Sequence, residues 1–171
     1  MGRTHMMGAL ASLWALSVLP TDTLILLTPV AVFGALLPDL DAPRSQIRSL
    51  TIGGLTPFWP LAHLLSRTLG HRGLLHSLFG WGMVSLIFAL LTGKFGLSLG
   101  GALSLGYLSH LGLDACTKRG IPLFFPRATF YHLLPRYLRI TTGSKAEEGV
   151  LVFLSLVALC LMLQNLHSLT P

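Results

Sequence analysis

The chain has 171 residues, of which 52% are hydrophobic and 11% are charged, and its mean hydropathy is +0.70. A soluble domain carries about 25% charged residues, so this composition excludes a water-soluble globular protein. The formal net charge of +6 comes without the mixed basic and aromatic runs of nucleic-acid-binding modules, so the sequence predicts a single membrane domain over residues 1–171 that contacts lipids rather than nucleic acid.

Apolar stretches predict an all-α integral membrane bundle of about five transmembrane helices. They cover residues 6–19, 24–37, 78–91, 97–113 and 150–166. The first two are shorter than the roughly 20 residues of a full crossing. We therefore expect their polar ends to continue as helix and to carry His5 and Asp39. Asp22 is the expected cap of the second helix, and Pro29 can kink it.

The polar connections predict structure at the membrane surface. Residues 56–69 begin with Thr-Pro and combine apolar with aromatic and basic side chains, which favours an interfacial or half-inserted helix. Residues 121–140 mix aromatic residues with Arg127, Arg136 and Arg139, which is typical of a loop at the headgroup level. Small residues allow close helix packing, so the fourth span is expected to be central. Its small residues are Gly96, Gly100, Gly101, Ala102, Ser104 and Gly106.

The positive charges predict the orientation. If helices alternate in direction, almost all lysines and arginines lie on the side of the N-terminus, and Lys94 lies on the other. The positive-inside rule then places the N-terminal side in the cytoplasm, at the inner membrane of a bacterium. An alternative for the N-terminus is a cleaved signal peptide, which would remove His5. Cys116 and Cys160 suggest no disulfide framework and are expected to be packing residues.

Two motifs at span ends carry carboxylates, and one of them also carries an imidazole. In His110-Leu-Gly-Leu-Asp114 the spacing places both side chains on one helix face. Such a pair can bind a divalent cation, or it can be a hydrogen-bonded pair that stabilises a helix end. Asp39 and Asp41 repel each other unless a cation or proton lies between them; the alternative is a pair of solvated turn acids.

A histidine pair opens the third span. His71 and His76 flank Arg72 and Gly73, and the glycine allows a tight turn that aims both imidazoles inward. The alternative is interfacial anchoring of both rings. Arg72 can bind a phosphate oxygen. His5 joins this group because it is expected on the same side of the membrane.

The start of the last span has a structural interpretation. Ser144-Lys-Ala-Glu147 is typical of a capping box, although Glu147 could instead serve as a general base or ligand. His63, His132 and His167 have no partner at ligand spacing and are expected to be interfacial.

These groups together predict a metal centre. Imidazole and carboxylate without thiolate favour zinc, with manganese or iron as alternatives. The number of ligands exceeds the needs of one ion, so one or two ions are expected. The predicted metal ligands are His5, Asp39, Asp41, His71, His76, His110 and Asp114.

Several motifs in order resemble a known family. They are Arg-Thr-His5, Leu-Leu-Pro-Asp39-Leu-Asp41, His71-Arg-Gly-Leu-Leu-His76-Ser, Ser-His110-Leu-Gly-Leu-Asp114-Ala-Cys-Thr, Gly-Ile-Pro-Leu-Phe-Phe-Pro and Gly143-Ser144-Lys-Ala-Glu147. Over nearly the whole chain they resemble the LexA-binding, inner-membrane-associated hydrolases, also called membrane-bound metal-dependent hydrolases. The resemblance implies distant similarity to zinc-dependent phospholipase C and P1 nuclease, in which a His-x-x-x-Asp helix helps to hold the metals. The chain lacks their second His-x-x-x-Glu helix. LexA binding is implied by the family label alone.

The resulting functional hypothesis is a membrane-bound metal-dependent hydrolase that cleaves a phosphoester of a lipid or another amphiphilic substrate at the cytoplasmic face. The metal would activate water and stabilise charge on the phosphate. Asp114 or another aspartate, or Glu147, would be the general base, and Arg72, with Arg127 or Arg136, would hold phosphate oxygens. The alternatives are a divalent-cation transporter, which needs ligands near the bilayer midplane, and a non-catalytic regulatory or scaffold protein.

Overall fold

The structure is a computed structural model that describes residues 1–16, 19–42, 45, 47, 49, 51, 53–68, 73–127 and 129–167. Across these residues the regular elements are helices, joined by two isolated bridges between extended residues. The predicted all-α class is confirmed. The helices are α1 (Gly2–Trp14), α2 (Thr21–Leu36), α3 (Trp59–Thr68), α4 (Leu78–Leu91), α5 (Gly96–Ala115) and α6 (Lys145–His167).

Helices α1 and α2 differ from their predicted bounds. The prediction that the first helix reaches residue 19 is wrong, since α1 ends at Trp14 and the chain turns before Pro20, where proline disfavours helix in the preceding residue. The expected cap is also wrong. Asp22 lies inside the first turn of α2 without a capping hydrogen bond, where its charge still complements the helix dipole. The predicted polar extensions are confirmed, because α1 contains His5 and a 3-10 turn, Leu37–Asp41, continues α2.

Helix α5 is the centre of the bundle, as its small residues predict. It packs against α1, α2 and α4. A Cβ atom on Gly106 would overlap the carbonyl oxygen of Ala31, and one on Gly34 would overlap that of Leu103. The two glycines therefore let the backbones of α2 and α5 approach each other closely.

Length and apolar composition qualify two of the described helical segments for a membrane crossing, fewer than the five predicted. They are Thr21–Asp41, with 21 residues, and α6, with 23. The shortfall arises because α1 has 13 residues and α4 has 14, while α5 has 20 residues but is rich in glycine and serine. The predicted surface segments also have counterparts: α3 packs against the turn that ends α2, and the described residues between 121 and 140 form a loop with one 3-10 turn, Arg136–Leu138.

Candidate metal centre

Predicted ligands from four parts of the chain meet at one end of the bundle. They come from the start of α1, the turn that ends α2, the 3-10 turn Leu74–His76 before α4, and the last turns of α5. The residues brought together are His5, Asp39, Asp41, His76, His110 and Asp114. All are buried except Asp39, whose side chain is 21% exposed, so the centre opens to the outside at Asp39. His71 and Arg72 lie outside the described residues.

Asp114 faces histidines on both of its sides. Its Oδ1 lies 3.5 Å from Nε2 of His5, and its Oδ2 lies 3.6 Å from Nε2 of His76 and 3.8 Å from Nε2 of His110. These distances are longer than the donor–acceptor distance of a normal hydrogen bond. They are slightly longer than the distance of about 3.4 Å that separates two ligand atoms when each lies 2.0–2.1 Å from a tetrahedral zinc ion. The spacing is therefore close to that of ligands around a shared cation.

Asp39 and Asp41 complete the centre from the end of α2. Oδ1 of Asp39 lies 3.7 Å from Nε2 of His76 and 3.9 Å from Nε2 of His110, and Oδ2 of Asp41 lies 3.9 Å from Nδ1 of His76. The centre contains two sets of three possible ligand atoms, and within each set the three atoms lie within 4.8 Å of one another. One set is His5, His110 and Asp114, and the other is Asp39, His76 and His110. Both sets could hold a metal ion.

The protein fixes the orientation of the His110 ring. Nδ1 of His110 lies 2.7 Å from the carbonyl oxygen of Ala35. A carbonyl can only accept, so Nδ1 carries the proton and Nε2 presents its lone pair to the carboxylates. Nε2 of His110 and Nδ1 of His5 are buried without a hydrogen-bond partner among the described residues. Burying such atoms is costly, and a cation coordinated by Nε2 of His110 would satisfy that nitrogen.

A second layer of contacts holds the histidines in place. The ring of His5 stacks on that of His110 at 3.6 Å between centroids. The hydroxyl of Tyr107 donates to the carbonyl oxygen of Leu75 at 2.5 Å, which fixes the turn that carries His76. Sequence reasoning missed Tyr107 and the Ala35 carbonyl. Both could have been found by helical spacing, because Tyr107 is three residues before His110 and Ala35 is four residues before Asp39.

Glu147 lies in neither of the two ligand sets. Its carboxylate accepts hydrogen bonds from the backbone N–H of Gly143 at 2.6 Å and the hydroxyl of Thr4 at 3.1 Å, and it pairs with the Met1 amine at 2.7 Å. Ser144 Oγ accepts from the N–H of Glu147 at 3.4 Å, as a capping residue does. These contacts favour the capping interpretation and tie α6 to α1.

The other candidate residues lie away from the ligand sets. Arg127 is exposed, and Arg136 lines a cavity of about 700 Å³ together with Lys118 and Arg139. His63 stacks on Trp59, the imidazole of His132 lies 3.2 Å from the carbonyl oxygen of Lys118, and His167 ends α6. Cys116 and Cys160 are both free thiols.

Comparison with known proteins shows the family. The model of the family described as YdjM inner membrane protein matches residues 1–168. The uncharacterized protein YvsG of Bacillus subtilis is 35% identical over 159 residues, which cover 92% of this chain and 91% of that protein. Inner membrane protein YdjM of Escherichia coli is 34% identical over 103 residues, and this match spans 49% of that protein. No solved structure matches.

The chain belongs to the YdjM inner membrane protein family. The predicted membrane-bound family is thereby confirmed. Hydrolase activity and similarity to phospholipase C stay predictions.

Proposed function

We propose that the chain, as a member of this inner-membrane family, is a metal-dependent hydrolase that cleaves the phosphoester of a lipid or another amphiphilic substrate. One observation carries the proposal: three histidines and two aspartates are almost completely buried together at one end of an apolar bundle. Ionisable side chains near a membrane segment are costly to bury and are usually functional. Carboxylates and imidazoles in contact are the ligands of catalytic zinc.

We further propose that α1, α2, α4, α5 and α6 cross the membrane and that α3 lies at its surface. Apolar side chains on the outer faces of α4 and α6 support this arrangement. Leu90 and Leu91 are 72% and 81% exposed, and Phe153 and Leu163 are 64% and 57% exposed. The short helices can cross where the bilayer thins or the flanking residues extend. Most lysines and arginines lie in the segments at the end of the bundle that bears the metal centre, so that end would face the cytoplasm.

The two ligand sets support one or two ions. His5 and Asp114 would hold one ion, and Asp39 and His76, which Asp114 also faces, would hold a second. His110 can serve only one of them, because its Nδ1 is engaged by a backbone carbonyl. Zinc fits the ligand types and the tetrahedral spacing best, and manganese and iron follow. When bound, the ions would supply an activated water and positive charge for the phosphate.

The chain's own residues would then position the substrate and move protons. Asp39 is the partly exposed aspartate of the centre, so it is the carboxylate that a substrate reaches first. An aspartate of the centre that does not hold a metal would serve as the general base. Arg72 would hold a phosphate oxygen, because it lies four residues before His76 and guanidinium binds phosphate in a bidentate way. Asp41, beside Nδ1 of His76, would orient that ring.

The test is metal content by mass spectrometry and turnover of phosphoester substrates for detergent-purified protein. The His110→Ala/Asp114→Ala variant is compared with the control His63→Ala/Glu148→Ala, which also removes one imidazole and one carboxylate. We expect metal and turnover in wild type and control, and neither in the first variant. Turnover that persists after the metal is removed would refute the proposal. Metal-dependent uptake into proteoliposomes without turnover would indicate the divalent-cation transporter instead.

A further inference from the structure

The chain after α5 forms a cationic cavity that the metal centre does not use. The cavity has a volume of about 700 Å³, and Lys118, Arg136 and Arg139 line it. Among the described residues, none of these three side chains forms an ion pair with an acid, because the acids lie elsewhere. Three cations around one cavity without acidic partners favour the binding of an anion.

Hydrogen bonds fix the backbone beside Lys118 and the side chain of Arg139. The N–H of Lys118 donates to the carbonyl oxygen of Ile140 at 2.9 Å, and the N–H of Ile140 donates to the carbonyl oxygen of Cys116 at 3.0 Å. Nε of Arg139 donates to the carbonyl oxygen of Leu134 at 3.1 Å. The cavity is therefore built on the end of α5 and not on a free loop.

An apolar cleft of about 340 Å³ lies between the second half of α5 and the same loop, with the start of α4 at its edge. Its walls include Leu78, Leu108, Leu111, Ile121, Leu123 and Leu133. His132 joins the two features, because it lines the cleft while its Nε2 contacts the carbonyl oxygen of Lys118. Gly120, with a φ of +67°, lies against His132 where a Cβ atom would overlap the imidazole. An apolar cleft that adjoins a cationic cavity matches an amphiphile with an anionic head.

The rim of the cavity has the composition of a membrane interface. In the sequence Arg136-Tyr137-Leu138-Arg139, the tyrosine is 85% exposed and the leucine is 55% exposed between the two cations. Exposed aromatic residues at the headgroup level anchor proteins to bilayers, and basic residues beside them attract anionic lipids.

We propose that this loop binds one anionic phospholipid of the bilayer, with the phosphate in the cationic cavity and an acyl chain in the apolar cleft. The site shares no residue with the metal ligand sets. Each basic residue near a membrane surface strengthens the binding of anionic lipid about fivefold, so three give a preference of about a hundredfold over a zwitterionic lipid.

The test is native mass spectrometry of the full chain in detergent, titrated with phosphatidylglycerol or with phosphatidylcholine of the same acyl chains. The variant Lys118→Gln/Arg136→Gln/Arg139→Gln is compared with Arg3→Gln/Lys94→Gln/Lys145→Gln, which loses the same charge elsewhere. A second variant, Lys118→Gln/Arg136→Gln, keeps the Arg139 hydrogen bond to the loop. Circular dichroism and thermal unfolding report whether each variant folds.

We expect wild type and control to bind phosphatidylglycerol about a hundredfold more tightly than phosphatidylcholine. The triple variant should lose this preference, and the double variant should lose most of it, while both unfold at the wild-type temperature. Equal binding of the two lipids by wild type would overturn the proposal. So would equal losses in the variant and its control. Glycerol phosphate binding as tightly as the lipid would show a site for free phosphate, which also overturns the lipid proposal.

Discussion

The two oxygens of Asp114 face different histidines, so replacing this one carboxylate should weaken both metal positions. Asp114→Asn keeps the volume of the side chain and removes its charge. A structural zinc site with four ligands binds with about 10–16 kcal/mol, which gives about 2.5–4 kcal/mol for each ligand. At 1.4 kcal/mol for each factor of ten, we expect both ions to bind about 10²–10³-fold more weakly.

The assay is metal retention after dialysis against graded concentrations of a chelator. Wild type should retain two ions, and Asp114→Asn should lose both at chelator concentrations lower by about a hundredfold. His5→Gln should lose one ion early and keep the other, because His5 contacts Oδ1 of Asp114. Asp22→Asn is the matched control, since Asp22 lies at the opposite end of α2 from Asp39.

Two results would refute the reasoning. If Asp114→Asn loses one ion and keeps the other with unchanged affinity, the carboxylate does not bridge. If wild type binds only one ion, the two ligand sets are alternatives around a single position.

The remaining predictions concern packing and the supports of the centre. Gly106→Ala should lower the melting temperature by about 5 °C, because overpacking costs about 1–3 kcal/mol, whereas Gly101→Ala should not lower it, since its Cβ would meet open space and alanine favours helix. Tyr107→Phe should destabilise the fold by about 1–3 kcal/mol and weaken metal binding, because the carbonyl of Leu75 loses its donor; metal retention and thermal unfolding measure both effects. Glu147→Gln should cost about 1 kcal/mol of stability without lowering turnover per metal-loaded molecule.

Each of these predictions has an outcome that contradicts it. Equal melting temperatures for the Gly106→Ala and Gly101→Ala proteins would show that the two helices are not in close contact. If Tyr107→Phe binds metal with wild-type affinity, the hydrogen bond to Leu75 does not support metal binding by His76. A large loss of turnover in stable, metal-loaded Glu147→Gln protein would restore Glu147 as the general base.

The sequence predicted the convergence of the ligands because helix direction is simple to count. If each apolar stretch reverses the direction of the chain, His5, Asp39, His76 and Asp114 are all expected at one end of the bundle, and the structure brings them together there. Helix bounds were less well predicted. Hydropathy does not mark where α1 stops, because the apolar residues continue beyond Trp14 into the turn.

The sequence by itself determined the apolar class of the chain, its helical elements and the end of the bundle at which the histidines and aspartates gather, because composition and spacing along one dimension carry that information. Only the tertiary structure decided that Asp114 presents its two oxygens to different histidines, that a carbonyl fixes the tautomer of His110, and that Glu147 caps α6 outside the ligand sets. These features depend on distances between helices far apart in the chain, and those distances are set by packing around Gly34 and Gly106.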